Sequence, residues 1–135
     1  MAHNRNLTLG DYRALAGIRR GMRQFLEFSA GAAQAAGLTP AQHQALLAIK
    51  GMPEPVTVGA LAEWLGIRHH SAVGLVDRLA GLKLLARKPD PADGRRVLLQ
   101  LSSRADAKLA ALSQIHRAEL RRFSTVLAPL LAALR

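Results

Sequence analysis

The segment from Val56 to Leu101 constrains the fold more than any other part of the chain, because it combines two short helical patterns with a hairpin pattern. Thr57 is a suitable N-cap for the first helix, and Gly66 follows its last apolar residue. Four apolar residues recur at helical spacing between them, namely Val58, Leu61, Ala62 and Leu65. The pattern therefore predicts a short helix that ends in a tight glycine turn.

A second amphipathic helix is predicted directly after this turn. Its buried face is expected to consist of Val73, Val76, Leu79 and Ala80. At about 100° per residue, the opposite face then carries His70, Ser71, Gly74 and Arg78. Two helices around a glycine turn form a helix-turn-helix, in which the second helix presents its exposed side chains to base edges of DNA.

After Leu85 the apolar pattern becomes short and no longer helical. The segments 86–88 and 97–101 flank the sequence PDPADG, whose Pro, Asp and Gly residues are typical of turns. They predict a two-stranded hairpin with the sequence DGRR at its tip. A helix-turn-helix followed by a basic hairpin is a winged helix-turn-helix, which addresses two grooves of one DNA half-site.

Two further helices are predicted before this region. The first spans about residues 11–36, ends at Gly37, and carries an apolar face of Leu15, Ile18, Met22 and Phe25. The second begins with Thr39 as N-cap, Pro40 at the first helical position and Gln42 able to close a capping box.

The C-terminal part is also predicted to be helical. Ser102 or Ser103 is expected to cap a helix with an apolar stripe of Leu109, Leu112, Ile115, Leu120 and Phe123. A separate short helix is expected from about Thr125, with Pro129 near its first turn.

These patterns predict a mainly α-helical protein with a small β-hairpin. We expect one domain over residues 1–135, in which a winged helix-turn-helix at 38–102 is flanked by dimerisation helices at 11–36 and 103–135. The flanking helices are rich in apolar residues but have little core of their own to cover, so we expect them to pack together and against a second copy. A two-fold dimer would require a pseudo-palindromic DNA site.

The composition narrows the functional classes. The chain has no cysteine, which excludes disulfides, thiolate metal sites and cysteine redox sensing. It shows neither a signal-peptide pattern nor an apolar run of membrane-spanning length, so we expect a soluble, cytoplasmic protein without a membrane partner. Nineteen Lys and Arg against nine Asp and Glu give a formal charge of +10, which indicates a polyanionic partner or merely favours solubility.

The sequence gives little support for an enzyme or a metal site. It contains no glycine-rich phosphate loop, no nucleophile elbow and no paired carboxylates with a plausible base. The histidines form no i, i+4 pair and no carboxylate cluster completes a site; they are His3, His43, His69, His70 and His116. We therefore expect no catalytic residue, cofactor or metal, and we expect Trp64 to be a core residue or a helix packing anchor and not part of a ligand site.

One group of motifs resembles a known family. The segment LVDRL at 75–79 is followed by an apolar strand, PDPADGRR and a Leu-Ser helix start, as in the MarR family of bacterial transcription regulators. Asp93 and Arg95 fit the family's DxR pattern in the wing, and Leu101 and Ser102 stand where the family has Leu and Thr. The order of the helices matches over nearly the full chain.

The resemblance implies a homodimeric winged-helix repressor or activator whose DNA affinity is often modulated by a small ligand. By the family's pattern, contacts from the recognition helix map onto Arg68, His69, His70, Ser71, Gly74 and Arg78. The wing contact maps onto Arg95, with Asp93 orienting it into the minor groove and Arg96 beside it. The aromatic residues are too dispersed in sequence to define an effector pocket, so no ligand-binding residue is assigned.

Several positions depart from the family's pattern. Arg68 stands at the N-cap of the recognition helix, where Ser or Thr is common, and Lys83 stands where a glycine usually ends that helix. Gly74 replaces a larger polar contact residue.

The expected function is that of a repressor that binds double-stranded DNA sequence-specifically at a pseudo-palindromic operator. The alternative is a regulator-like dimer with weakened DNA binding that acts through protein contacts.

Each proposed contact also has a structural alternative. Arg95 would otherwise be a solvated charge at the tip of a hairpin, and Arg78 would pair with a carboxylate within its own dimer. Ser71 would serve as a helix cap instead of a DNA contact.

Overall fold

The secondary structure is mainly helical with one hairpin, as predicted. A computed structural model describes residues 6–134 of the 135-residue chain. The elements of this part are α1 Leu9–Ala35, α2 Pro40–Gly51, α3 Val58–Leu65, α4 His69–Gly81, β1 Leu85–Pro89, β2 Val97–Leu101 and α5 Ser103–Ala133. The two strands pair antiparallel, with Leu85 opposite Leu101 and Pro89 opposite Val97.

The chain divides into two compact units. The central unit comprises Ala33–Ser113, and the terminal unit comprises the residues before and after it. The central unit holds α2, α3, α4 and the hairpin, and the terminal unit is formed by most of α1 and the second part of α5. The ends of the expected 1–135 domain, at residues 1–5 and 135, lie outside the described residues.

The helix boundaries in the central unit are fixed by the expected caps. The Thr39 hydroxyl accepts a hydrogen bond from the Gln42 amide at 3.1 Å, and the Gln42 side chain accepts one from the Thr39 amide at 3.0 Å. The Thr57 hydroxyl caps α3 in the same way. Gly66 then adopts a left-handed conformation with φ 67°, which glycine reaches without the clash that a Cβ would cause.

The core of the central unit is aliphatic. Its largest fully buried side chains are Leu46, Leu61, Leu79, Leu84, Leu112 and Val76. The Leu99 amide donates to the carbonyl of Val56 at 2.8 Å, which ties the segment before α3 to the outer strand of the hairpin. These contacts hold α3, α4 and the hairpin in one packed unit.

Two expectations about burial in this unit are wrong. The buried residues of α4 are Ala72, Leu75, Val76 and Leu79, whereas Val73 and Ala80 are only half-buried. These four buried residues have the i, i+3, i+4, i+7 spacing of one helix face. The predicted face is rotated about the helix axis relative to this observed face. Trp64 is 60% exposed and does not belong to the core, because Leu61 and Ala62 are the residues that α3 buries.

The expected separate helix from Thr125 is also wrong, because α5 continues to Ala133. The Thr125 hydroxyl donates to the carbonyl of Arg122 at 2.7 Å, and the Ser124 hydroxyl donates to the carbonyl of Arg121 at 2.6 Å. Both hydroxyls thus bond back to the preceding turn and do not cap a new helix. Pro129 lies within the continuous helix.

The terminal unit is held together by aromatic packing between α1 and α5. Phe25 and Phe123 are stacked with ring centroids 6.1 Å apart, and the edge of the His116 ring contacts both Phe25 and Phe28. The His116 ring is also hydrogen-bonded to the Ser29 hydroxyl at 2.7 Å. Aromatic residues that are far apart in sequence, such as Phe25 and Phe123, therefore converge in the terminal unit.

Two glycines of α1 should respond oppositely to alanine substitution. A Cβ at Gly21 would lie 2.5 Å from Phe123 Cε2, whereas a Cβ at Gly31 would have no atom within 4 Å. Gly31→Ala should raise the free energy of unfolding by about 1 kcal/mol through helix propensity. Gly21→Ala should lower it by about 1 kcal/mol or more because the stacked Phe123 ring must move. Denaturant unfolding measures both, and equal stabilisation by the two variants would contradict the packing described.

Candidate nucleic-acid interface

The N-terminus of α4 has no side-chain cap. Arg68 occupies the N-cap with an extended backbone, and its side chain makes no capping hydrogen bond, as the sequence predicted. His69, His70 and Ser71 follow in the first turn, and all three are exposed. The amide groups of this turn are therefore available to a negatively charged partner, which the helix dipole also favours.

The exposed face of α4 has a gap at its centre. His70, Ser71 and Arg78 are exposed as expected, and Gly74 lies between them on the same face. A Cβ on Gly74 would have the Arg78 Nη2 atom as its nearest neighbour, at 3.9 Å. The guanidinium of Arg78 thus lies back along the helix, over the position where Gly74 has no side chain.

The C-terminus of α4 is closed by an unusual residue. Lys83 has φ 60°, the left-handed conformation that the sequence indicated for this position and that costs a residue with a Cβ about 1 kcal/mol. The Ser102 hydroxyl donates to the Lys83 carbonyl at 2.8 Å, and the Ser102 amide donates to the Leu84 carbonyl at 3.0 Å. Ser102 also caps α5 by accepting from the Ala105 amide, which settles the choice between Ser102 and Ser103.

The turn of the wing is organised by two aspartates. Asp90, whose side chain is 10% exposed, accepts from the Ala92 amide at 2.9 Å and pairs with Arg96 at 3.9 Å. Asp93 accepts from the Arg95 amide at 3.1 Å. Backbone hydrogen bonds between residues 90 and 96 and between 93 and 96 complete the turn.

The two arginines of the wing differ in their surroundings. The Arg95 side chain is 95% exposed and its Nε lies 3.6 Å from Asp93 Oδ1, whereas the Arg96 side chain is 49% exposed and folds back toward Asp90. Arg95 therefore projects from the tip with Asp93 beside it. Arg96 is placed to stabilise the turn.

An ion pair that the sequence analysis missed connects α4 to the wing. Asp77, one turn before the end of α4 at Gly81, pairs with Arg87 of β1. The two residues lie on different elements, so neither helical periodicity nor strand alternation indicates their contact. The pair links the orientation of the hairpin to that of α4.

Among residues 6–134, no three His, Asp or Glu side chains come close enough together to hold a metal ion. His3 lies outside the described residues. None of the helices in the described part is both long and apolar enough to cross a membrane.

A cleft of about 600 Å³ opens on another side of the central unit. Its walls come from the end of α2, the segment before α3, both strands and the start of α5. Apolar residues such as Val56 and Leu99 line it together with Lys88 and the ion pair between Lys50 and Asp106, whose charged atoms are 3.2 Å apart. Its size is in the range of small-molecule sites.

Helices α3 and α4 with the following hairpin define a winged helix-turn-helix protein. A sequence model of the MarR family matches residues 36–96, a range that includes α2, α3, α4, β1 and the turn of the wing. This match confirms the resemblance seen in the sequence: over residues 36–96 the chain is similar to the MarR family of transcription regulators. No curated protein matched the sequence.

Solved structures of the same fold cover most of the chain. A mutant of MepR from S. aureus bound to an oligodeoxyribonucleotide is 18% identical, with a TM-score of 0.72 over 96% of this chain and 100% of that one. A mutant of MarR from E. coli complexed with operator DNA is 22% identical, with a TM-score of 0.71 over 87% and 84%. BpsR from Bordetella bronchiseptica is 24% identical, with a TM-score of 0.63 over 78% and 75%.

The different surroundings of the two wing arginines predict different effects on stability. Arg96→Ala should lower the free energy of unfolding by up to about 1 kcal/mol, because Asp90 loses its partner while it remains mostly buried. Arg95→Ala should leave stability unchanged within about 0.5 kcal/mol, since its side chain is almost fully solvated. Chemical denaturation measures both, and a larger loss for Arg95→Ala would contradict this division.

Proposed function

We propose that this chain is a homodimeric regulator that binds double-stranded DNA sequence-specifically and acts as a repressor at a pseudo-palindromic operator. The observation that carries the proposal is the wing: Arg95 projects into solvent from a hairpin whose turn is fixed by Asp90, Asp93 and Arg96. A rigid hairpin with one projecting arginine suits the minor groove, which is narrow and strongly negative. Such a regulator would act in the cytoplasm, where bacterial DNA is located.

The recognition helix α4 would occupy the major groove with its exposed face. The residues assigned to this contact are Arg68, His69, His70, Ser71, Gly74 and Arg78. The uncapped amides after Arg68 would bind a phosphate and fix the position of the helix on the duplex. His70 and Arg78 would then contact base edges.

Long-range electrostatics supports the same partner. A formal charge of +10 attracts a polyanion, and each neutralised phosphate releases condensed counterions. Two structures of similar fold, those of MepR and MarR, contain DNA. The positive charge therefore provides affinity for duplex DNA, and the contacts of α4 and the wing provide orientation and specificity.

The terminal unit is proposed to form the dimer. Its exposed apolar side chains include Leu15, Met22, Leu26, Ile115, Val126 and Leu131. Exposed apolar residues that form a patch often mark an interface with another protein. From residue 114 to the end of α5 at Ala133, none of the side chains is buried. A second copy of the chain would cover these residues and set two recognition helices about one turn of DNA apart.

A small-molecule effector is part of the proposal. BpsR, which has a similar fold, is regulated in its DNA binding by 6-hydroxynicotinic acid. In this chain the cleft of the central unit is walled partly by Lys88 and Leu98 of the wing strands, so a ligand there would contact the hairpin directly. Such a ligand would change DNA affinity only if it bound one orientation of the hairpin more tightly than another.

The alternative function is regulation through protein contacts with weakened DNA binding. The uncapped start of α4, Gly74 and the strained Lys83 are the features that favour it. The two functions differ in the role of the wing, since a regulator that does not bind DNA has no need for a solvated Arg95 beside Asp93.

Duplex binding should depend steeply on salt. The logarithm of the association constant should fall linearly with the logarithm of the salt concentration, with a slope near −0.9 for each phosphate neutralised. Fluorescence anisotropy with duplexes from the promoter region adjoining the gene measures this slope. Arg95→Ala should weaken binding by about 10-fold while leaving the mass of the dimer unchanged, with Arg96→Ala as the comparison. A flat salt dependence would support the protein-contact alternative.

The dimer proposal predicts opposite results for two matched substitutions. Met22 in α1 and Leu47 in α2 are exposed to nearly the same extent, 47% and 49%. Met22→Glu should convert the dimer largely to monomer because it places a charge among the apolar side chains of the interface, whereas Leu47→Glu should not. Light scattering at micromolar concentration gives the mass of each variant. A monomeric unmodified protein, or a dimer unaffected by Met22→Glu, would contradict the proposal.

A further inference from the structure

The glycine at the centre of the recognition face has no evident role in the folded protein. Gly74 lies inside α4 and its φ is not positive. Apart from its chain neighbours and the backbone of α4, the only described atom within 4 Å of an added Cβ is Arg78 Nη2. An interior glycine destabilises a helix because it gains more backbone entropy on unfolding than alanine does. Alanine would fit this position without contacting any fixed part of the protein.

The side chain of Arg78 occupies the space above this glycine. Helical side chains point toward the N-terminus, so a long residue four positions later covers the preceding turn. Arg78 is exposed, and its charged atoms have no carboxylate within ion-pair distance among residues 6–134. Its guanidinium therefore lies at the middle of the exposed face with its hydrogen-bond donors free.

Asp77 does not compete for this guanidinium. Although it precedes Arg78 and is also exposed, its carboxylate pairs with Arg87 of β1. The ion pair thereby removes the nearest carboxylate in sequence from the recognition face. Arg78 can turn its planar donor edge outward without losing a partner.

We infer that Gly74 and Arg78 act together as the guanine-selecting element of the recognition helix. This inference rests on the proposed DNA-binding function and adds the base pair that is read. Without a side chain at position 74, the helix backbone can approach the groove floor closely, and the guanidinium above it can donate two hydrogen bonds to O6 and N7 of one guanine. Gly74 is thus a specificity-determining residue that acts by letting the helix backbone lie close to the base pair that Arg78 contacts.

The test uses a pool of duplexes with a randomised core of about 24 base pairs between fixed ends, selected by the intact dimer and sequenced. The unmodified protein should select one strongly preferred G·C pair in each half-site. Arg78→Ala removes the donors, so it should reduce the preference at that pair about 10-fold and leave the preferences at other positions unchanged. Replacing that guanine by 7-deazaguanine should weaken binding of the unmodified protein but not of Arg78→Ala.

Gly74→Ala distinguishes a recognition role from a structural one. It should raise the midpoint of thermal unfolding, as the control Gly31→Ala should, yet weaken binding to the selected site about 10-fold, which the control should not. A Gly74→Ala variant that unfolds at a lower temperature would show that the glycine serves the fold and would overturn the inference.

The remaining outcomes separate this inference from the function on which it rests. If the unmodified protein retains no duplex even at low salt, both fail. If it selects a site, but Arg78→Ala weakens binding equally to all sequences and lowers the salt slope, Arg78 contacts phosphate and only the guanine inference fails. Unchanged selection by both Gly74→Ala and Arg78→Ala would also overturn it alone.

Discussion

The geometry of the central unit depends on the hydrogen bonds between Ser102 and the chain just after α4. The hydroxyl and amide of Ser102 bind the carbonyls of Lys83 and Leu84, and the same hydroxyl caps α5. The end of the recognition helix, the two ends of the hairpin and the start of α5 therefore meet at one point, where Leu85 pairs with Leu101. A change in this junction would move the wing and α4 together. It also explains how Lys83 is held in a left-handed conformation that would otherwise be unfavourable.

The charged side chains of the wing fall into two groups, those that hold the turn and one that projects into solvent. Asp90 and Arg96 are partly desolvated and fix the turn, while Arg95 remains solvated and Asp93 limits its directions. At the surface such pairs contribute little to stability, so their effect is mainly on orientation. The pair between Asp77 and Arg87 acts similarly between the wing and α4. In the proposed complex this orientation would matter, because an arginine that enters a narrow groove loses side-chain entropy and a restricted side chain has less to lose.

Short-range sequence patterns predicted the helices, strands and caps well, whereas most contacts between these elements could not be predicted from the sequence. The capping box at Thr39, the N-cap at Thr57 and the turn at Gly66 depend on residues three to nine positions apart, and all were predicted. The predicted buried face of α4 differs from the observed one because the prediction placed the more apolar Val73 in the core. In the structure the smaller Ala72 is buried instead. Thr125 has the sequence context of an N-cap, and only the structure shows that its hydroxyl donates back to the Arg122 carbonyl. The convergence of Phe25 with Phe123 and the pairing of Asp77 with Arg87 require the tertiary fold.

Three features of the recognition helix α4 lower its stability. The missing N-cap at Arg68, the interior Gly74 and the left-handed Lys83 each cost about 1 kcal/mol, roughly 3 kcal/mol in all against a typical total stability of 5–15 kcal/mol. The buried residues of α4 and the bonds from Ser102 offset this cost in the free protein. In the proposed complex with DNA, the uncapped amides would gain a partner, since a phosphate can accept from them. The helix would then be more stable in the complex than in the free protein, so part of the cost of the missing N-cap would be recovered only on binding.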